Sequence, residues 1–141
     1  MNFKGEIEFT KHFCKMVKAR GAEWVAFVGN MRQKNGIPDR YIAHSIFRGW
    51  IEFKYHNRLC TDLQRIFIRD MKAKHDVAMV CRLSKIGRVT FEDENAVQHH
   101  NFRVIELEYL PDDRSRGEYL LNQCVFAWGN MQKEKGMKTG K

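Results

Sequence analysis

Gly36-Ile37-Pro38-Asp39, followed by Trp50-Ile51-Glu52-Phe53-Lys54, decides how this chain folds. In an extended run, Glu52 and Lys54 lie two apart and project from one sheet face, while Ile51 and Phe53 project from the other, into a core. Asp39 opens the preceding strand, directly after Pro38. The midpoint between positions 39 and 52 falls near Ser45-Ile46, just before an expected turn at Arg48-Gly49. Antiparallel folding there brings Asp39 close to Glu52, to within a residue or two of register. Two carboxylates that share a hard cation, with an ammonium beside them, suit metal-assisted phosphodiester hydrolysis.

The 141 residues suffice for one compact domain and are too few for two comfortable ones. The expected organisation is therefore a single domain over 1–141, with a core over about 5–84, an extension over about 85–131 and a flexible basic tail over 132–141. Lys and Arg number 25 against 17 Asp and Glu, a formal charge of +8, and that balance favours a polyanionic partner. No apolar run approaches the ~18 residues of a membrane span, and Met1-Asn2-Phe3-Lys4 carries no signal-type apolar segment, so no membrane is expected. Cys14, Cys60, Cys81 and Cys124 form no C-x-x-C pair, which argues against a zinc ribbon and gives no support to a disulfide framework. Cys14, Cys81 and Cys124 sit in apolar patterns and read as small core residues.

Phe9, Phe13, Met16 and Val17 have helical spacing and predict a helix over about 5–20, stopped at Gly21. Glu23 to Val28 reads as a strand, Asn30 to Gly36 as a loop, and Arg40–His44 and Gly49–Tyr55 as the hairpin. Thr61-Asp62-Leu63-Gln64 has the capping-box pattern and opens a helix with Leu63, Ile66, Phe67 and Met71 as its apolar stripe, ending near His75. Val77 to Cys81 reads as a strand buried on both faces. Helix, three strands, helix, strand is an α/β layer arrangement with one crossover. Further on, Arg88–Phe91 and Phe102–Tyr109 read as strands, and Glu118–Met131 as a helix with Leu121, Val125 and Trp128 on one face. His99-His100 reads as a surface loop.

Gly36-x-Pro38-Asp39, Glu52-x-Lys54, the Thr61-x-x-Gln64 helix start and this order of elements together resemble the PD-(D/E)xK nuclease superfamily, and within it the small VRR-NUC type, over about Glu6 to Leu83. The resemblance implies a restriction-endonuclease-like αβββαβ core with a mixed central sheet flanked by helices. It implies that Asp39 and Glu52 are metal ligands, joined by the backbone carbonyl of Phe53, with Mg²⁺ as the cation and Mn²⁺ as its substitute. Lys54 would act beside the attacking water, and Gln64 would project from the helix start to orient water or phosphate. A further carboxylate from the first helix is usual in the family. Glu6 and Glu8 compete for that role, and Glu6, on the inward face of the wheel, is favoured. Arg40 in place of an apolar residue, and Lys74-His75-Asp76 where a Gly is common, depart from the pattern without removing a catalytic atom.

Each of these residues also has a plainer reading. An isolated E-x-K is ordinary charge alternation on a solvated strand face, Gln64 at N3 stabilises a helix without catalysis, and Asp39 after Pro38 is a good turn residue. Lys34, Arg40, Arg48 and Arg58 flank the expected site and are taken as a group to track a nucleic-acid backbone. The expected function is metal-dependent hydrolysis of DNA phosphodiesters, with duplex or branched DNA (junction or flap) as partner. The alternative from another class is a non-catalytic nucleic-acid-binding domain that keeps the nuclease fold. Two-fold symmetry suits cleavage of both strands, which makes a homodimer an expectation. A bacterial or phage-infected cytoplasm follows from the resemblance alone.

Overall fold

The computed structural model describes residues 3–26 and 38–138, with side chains to residue 134. The elements in chain order are α1 (Glu6–Ala19), β1 (Glu23–Ala26), β2 (Arg40–Ala43), β3 (Arg48–Tyr55), α2 (Asp62–Ala73), β4 (Ala78–Leu83), β5 (Arg88–Glu92), β6 (Gln98–Arg103), α3 (Ile105–Glu108) and α4 (Asp113–Lys138). Among the described residues the strands form one six-stranded sheet, in spatial order β1 to β6. Neighbours are antiparallel except β3 and β4, which are parallel. Parallel neighbours need a crossover, and α2 supplies it. The result is a mixed α/β layer structure in which the first six elements follow the expected order. Gly36, Lys34, the Asn30–Gly36 loop and positions 27–28 of the first expected strand lie outside the described residues.

Side-chain alternation along β3 divides the sheet into two faces. Ile51 and Phe53 are fully buried on the face covered by α1 and α4. Phe53 packs edge-on against Phe9 and Phe13 of α1, at centroid distances of 5.9 and 5.1 Å. A smaller apolar cluster, Ile68 with Ala78 and Val80, sits under α2 on the opposite face. Gly117 lets α4 approach α1 closely, since a Cβ there would fall 2.0 Å from the carbonyl oxygen of Met16.

Several expectations are corrected. The β2–β3 turn occupies residues 44–47, closed by the His44 N–H donating to Phe47 O at 3.0 Å, and not Arg48-Gly49. Gly49 lies within β3, where its missing side chain admits Val77, whose Cγ1 would be 2.6 Å from a Cβ. The inward stripe of α2 keeps only half of the expected residues: Phe67 packs edge-on against Trp50 at 5.4 Å and Met71 against the Ile68 cluster, but Leu63 and Ile66 are exposed, and Gln64 and Ile68 are buried in their stead. Phe102–Tyr109 is not one strand. β6 ends at Arg103, whose N–H donates to the Glu106 carboxylate at 2.8 Å, and α3 follows.

His99 and His100 belong to β6 and not to a surface loop. His99 bridges Asp93 at 3.0 Å and Glu134, with only 5% of its side chain exposed. The last helix starts at Asp113, not Glu118, with Asp112 accepting the Ser115 N–H at 2.9 Å. It continues to Lys138, through most of the segment expected to be a frayed tail. Its buried face carries Leu120, Leu121, Cys124, Ala127 and Met131, while Val125 is exposed.

Candidate active site

Register places the two carboxylates of the opening motif. Arg40 pairs with Ile51 across β2 and β3, so the position before Arg40 faces the one after Ile51. Asp39 and Glu52 therefore meet, and each carboxylate accepts a backbone N–H from the other's segment. Asp39 Oδ2 accepts from Phe53 N at 2.9 Å, and Glu52 Oε1 accepts from Asp39 N at 3.1 Å. This crosswise pair of bonds fixes both side chains at the open end of β2. Asp39 is buried to 9% exposure and Glu52 to 0%. Two like charges held together without water cost free energy, which a cation offsets.

Lys54 provides one cation. Two residues on from Glu52, it shares the α2 face of β3, and its Nζ lies 3.3 Å from Glu52 Oε2 and 3.1 Å from Gln64 Oε1. Only 6% of its side chain is exposed, so the ammonium is held and not sweeping through solvent. Gln64 combines its two readings. The Thr61 hydroxyl accepts the Gln64 N–H at 3.2 Å, and the Gln64 amide oxygen accepts the Thr61 N–H at 2.9 Å, completing a capping box. The same oxygen accepts from Lys54, so the cap of α2 also positions the ammonium.

The donor set fits the implied divalent cation. Asp39 and Glu52 offer hard carboxylate oxygens. The Phe53 N–H points toward Asp39, and in a strand the carbonyl of the same residue shares that edge, which directs the Phe53 oxygen to the same place. Glu6, the expected further carboxylate, belongs to another element. It stands in the first turn of α1, on the opposite side of the sheet, lining a cavity with Tyr55 and Arg58. Among the described residues, no group of three or more His, Cys, Asp or Glu side chains is placed to hold a metal ion.

The expected backbone-tracking cations disperse. Arg40 points to the α1 face, with its guanidinium 5.1 Å from the Trp24 ring and its NH1 donating to the backbone carbonyl of Asp39 at 2.9 Å. Burial pushes the Cys14 thiol up to about 11, against the opposing pull of Arg40. Arg48 shares the face of Glu52 but lies four residues away, roughly 13 Å along the strand. Arg58 is exposed in the β3–α2 connection, near the carboxyl end of β3. Lys34 lies outside the described residues.

Three residues near the site carried no sequence expectation. Arg82 is the register partner of Lys54. Its Nε donates to both Glu92 oxygens, at 2.9 and 3.1 Å, and its NH1 donates to the carbonyls of His56 and Arg58, at 3.0 and 2.5 Å. It thereby pins the connection that carries Lys54 into α2. The signal was a lone charge in the otherwise apolar run Ala78–Leu83, matched by the alternation that puts Glu92 on the same face. Cys60 precedes the cap of α2. Burial raises its thiol to about 11, partly offset by the nearby Lys54.

No protein-family model and no curated protein sequence matches this chain. Among the described residues, no helix is long and apolar enough to cross a membrane.

Proposed function

We propose that this chain is a divalent-cation-dependent nuclease of the PD-(D/E)xK type, VRR-NUC-like, that hydrolyses DNA phosphodiester bonds. The observation that carries this reading is the crosswise hydrogen bonding of Asp39 and Glu52, with the buried Lys54 ammonium 3.3 Å from the second carboxylate. A solvated strand face would leave all three exposed. A turn role for Asp39 would not bond it to Phe53 N. The order α1-β1-β2-β3-α2-β4, with β3 and β4 parallel, supports the family resemblance.

Asp39, Glu52 and the Phe53 carbonyl would hold Mg²⁺, or Mn²⁺ in its place. When bound, the ion supplies Lewis-acid polarisation of a phosphoryl oxygen and a lowered pKa for coordinated water. Lys54 keeps a positive charge and a proton donor beside the carboxylates, where negative charge develops as an oxygen nucleophile adds to phosphorus. Gln64 holds that ammonium in place through its amide oxygen. The α2 N-terminus, two to three residues from Gln64, orients backbone N–H groups toward the same anion.

The test is incubation of the full chain with labelled duplex, single-stranded, flap and four-way-junction DNA, in Mg²⁺ or Mn²⁺ and in EDTA, beside Lys54→Ala. Metal-dependent cutting that disappears in the variant is the expected result, and the preferred DNA identifies the substrate class. Salt-sensitive binding with no cutting by the wild type under either metal would overturn the nuclease reading in favour of a non-catalytic nucleic-acid-binding domain.

A further inference from the structure

Beyond the carboxylates, the same end of the sheet carries a feature that the hydrolytic residues do not use. Ser84 to Gly87 form the tight β4–β5 turn. Ser84 N donates to Arg88 O at 2.8 Å, Arg88 N to Ser84 Oγ at 3.0 Å, and Gly87 N to Ser84 O at 3.2 Å. Gly87 has φ +80°, which a side chain would disfavour. Ile86 is held at the tip of this closed turn with 87% of its surface exposed. The closed turn holds that side chain in a fixed place beside its charged neighbours.

Cations stand on either side of Ile86. Lys85 and Arg88 are both exposed. Arg88 lies on the sheet face that also carries Lys54, because Lys54 pairs with Arg82, Arg82 with Thr90, and Arg88 is two residues from Thr90. Asn101 on β6 accepts from Arg88 NH1 at 2.9 Å and orients it. From strand spacing and rise, Lys85 lies roughly 10–15 Å from Lys54, about two phosphate steps of an extended strand.

We propose that the β4–β5 turn is a nucleic-acid docking rim, in which Lys85 and Arg88 contact backbone phosphates and Ile86 wedges against a base of the DNA that enters the site. The inference rests on the nuclease reading for its choice of nucleic acid. The chemistry is that of apolar wedges set between cations, which unstack a base step while the cations hold the backbone. It favours DNA with an end, branch or mismatch near the scissile bond, where unstacking costs least.

The test uses the full chain in EDTA, so that binding is read without cutting. Anisotropy of labelled DNA over a salt series is compared among wild type, Lys85→Ser/Arg88→Ser, Ile86→Ser and the distant surface variant Lys18→Ser. DNA carrying 2-aminopurine reports unstacking. Expected is a loss of affinity of about tenfold, and a salt slope shallower by about two, for the double variant. Ile86→Ser should lose the 2-aminopurine signal, and Lys18→Ser should match wild type. Wild-type affinity and slope in the double variant, or an unchanged 2-aminopurine signal in Ile86→Ser, would overturn the rim. Cutting is scored separately in Mg²⁺. Cutting that survives with unchanged binding overturns the rim alone, binding through the rim without any cutting overturns the nuclease reading alone, and a wild type that neither binds DNA in EDTA nor cuts it in Mg²⁺ overturns both.

Discussion

Lys54 does two jobs, and its removal should show in two measurements. It neutralises Glu52 inside a site with almost no solvent, so Lys54→Ala leaves a buried carboxylate without its ammonium. Losing one partner of a buried pair costs about 3 kcal/mol, which urea unfolding without metal should read directly. Gln64 separates stability from positioning. Thr61→Ala and Gln64→Ala should each destabilise by about 1 kcal/mol through the lost cap, but only Gln64→Ala should also slow cutting, because only it frees the ammonium. Equal cutting rates in those two variants would remove Gln64 from the site. Cys60 gives an independent check on local burial: with its thiol raised to about 11, alkylation should stay slow at neutral pH and climb about tenfold per pH unit until the thiol ionises. At this scale the sequence was most legible where two-residue alternation fixes a face, as for Glu52 and Lys54. It was least legible where a charge turns inward for reasons held on another strand, as Arg82 does toward Glu92 and Arg40 does toward Cys14 and Trp24.

The elements show why one polar residue can mislead a periodicity. Gln64 sits on the inward face of α2 because Lys54 holds it there. An apolar pattern drawn without it rotates the stripe onto Leu63 and Ile66, which are exposed. The same happens in α4, where Gly117 and Cys124 mark the buried face more truly than Val125 does. Gly117→Ala tests the α1–α4 approach. A methyl 2.0 Å from the Met16 oxygen forces the backbones apart, and the expected cost is about 3 kcal/mol in thermal or urea melts.

The β5–β6 connection carries a pH dependence of definite sign. Burial works to raise the Asp93 carboxyl, but the hydrogen bond from His99, the N–H groups of Val97 and Asn95, and the charge of Lys72 together hold it below its ordinary 3.8. A folded value below the unfolded one makes the contribution complete above about pH 4 and lost as pH falls through the folded value. Asp93→Asn should therefore flatten the acid arm of the stability curve below about pH 4 and leave its neutral part parallel to wild type.

For the whole molecule, the order of the first six elements and the pairing of Asp39 with Glu52 were legible because they follow from alternation, a capping box and a crossover, each a local rule. The second half was less so. The strand–helix switch at Arg103 depends on the Glu106 side chain folding back on the backbone, and the length of α4 depends on packing against α1. The +8 charge is consistent with a polyanionic partner.

The nuclease reading requires Asp39 and Glu52 to share a divalent cation. The most direct measurement is a calorimetric titration of Mn²⁺ into wild type, Asp39→Asn and Glu52→Gln, each shown folded by circular dichroism. Saturable binding by the wild type that is abolished in both variants is the predicted result. Binding that is unchanged by either substitution, or no binding by the wild type with or without DNA present, would contradict it.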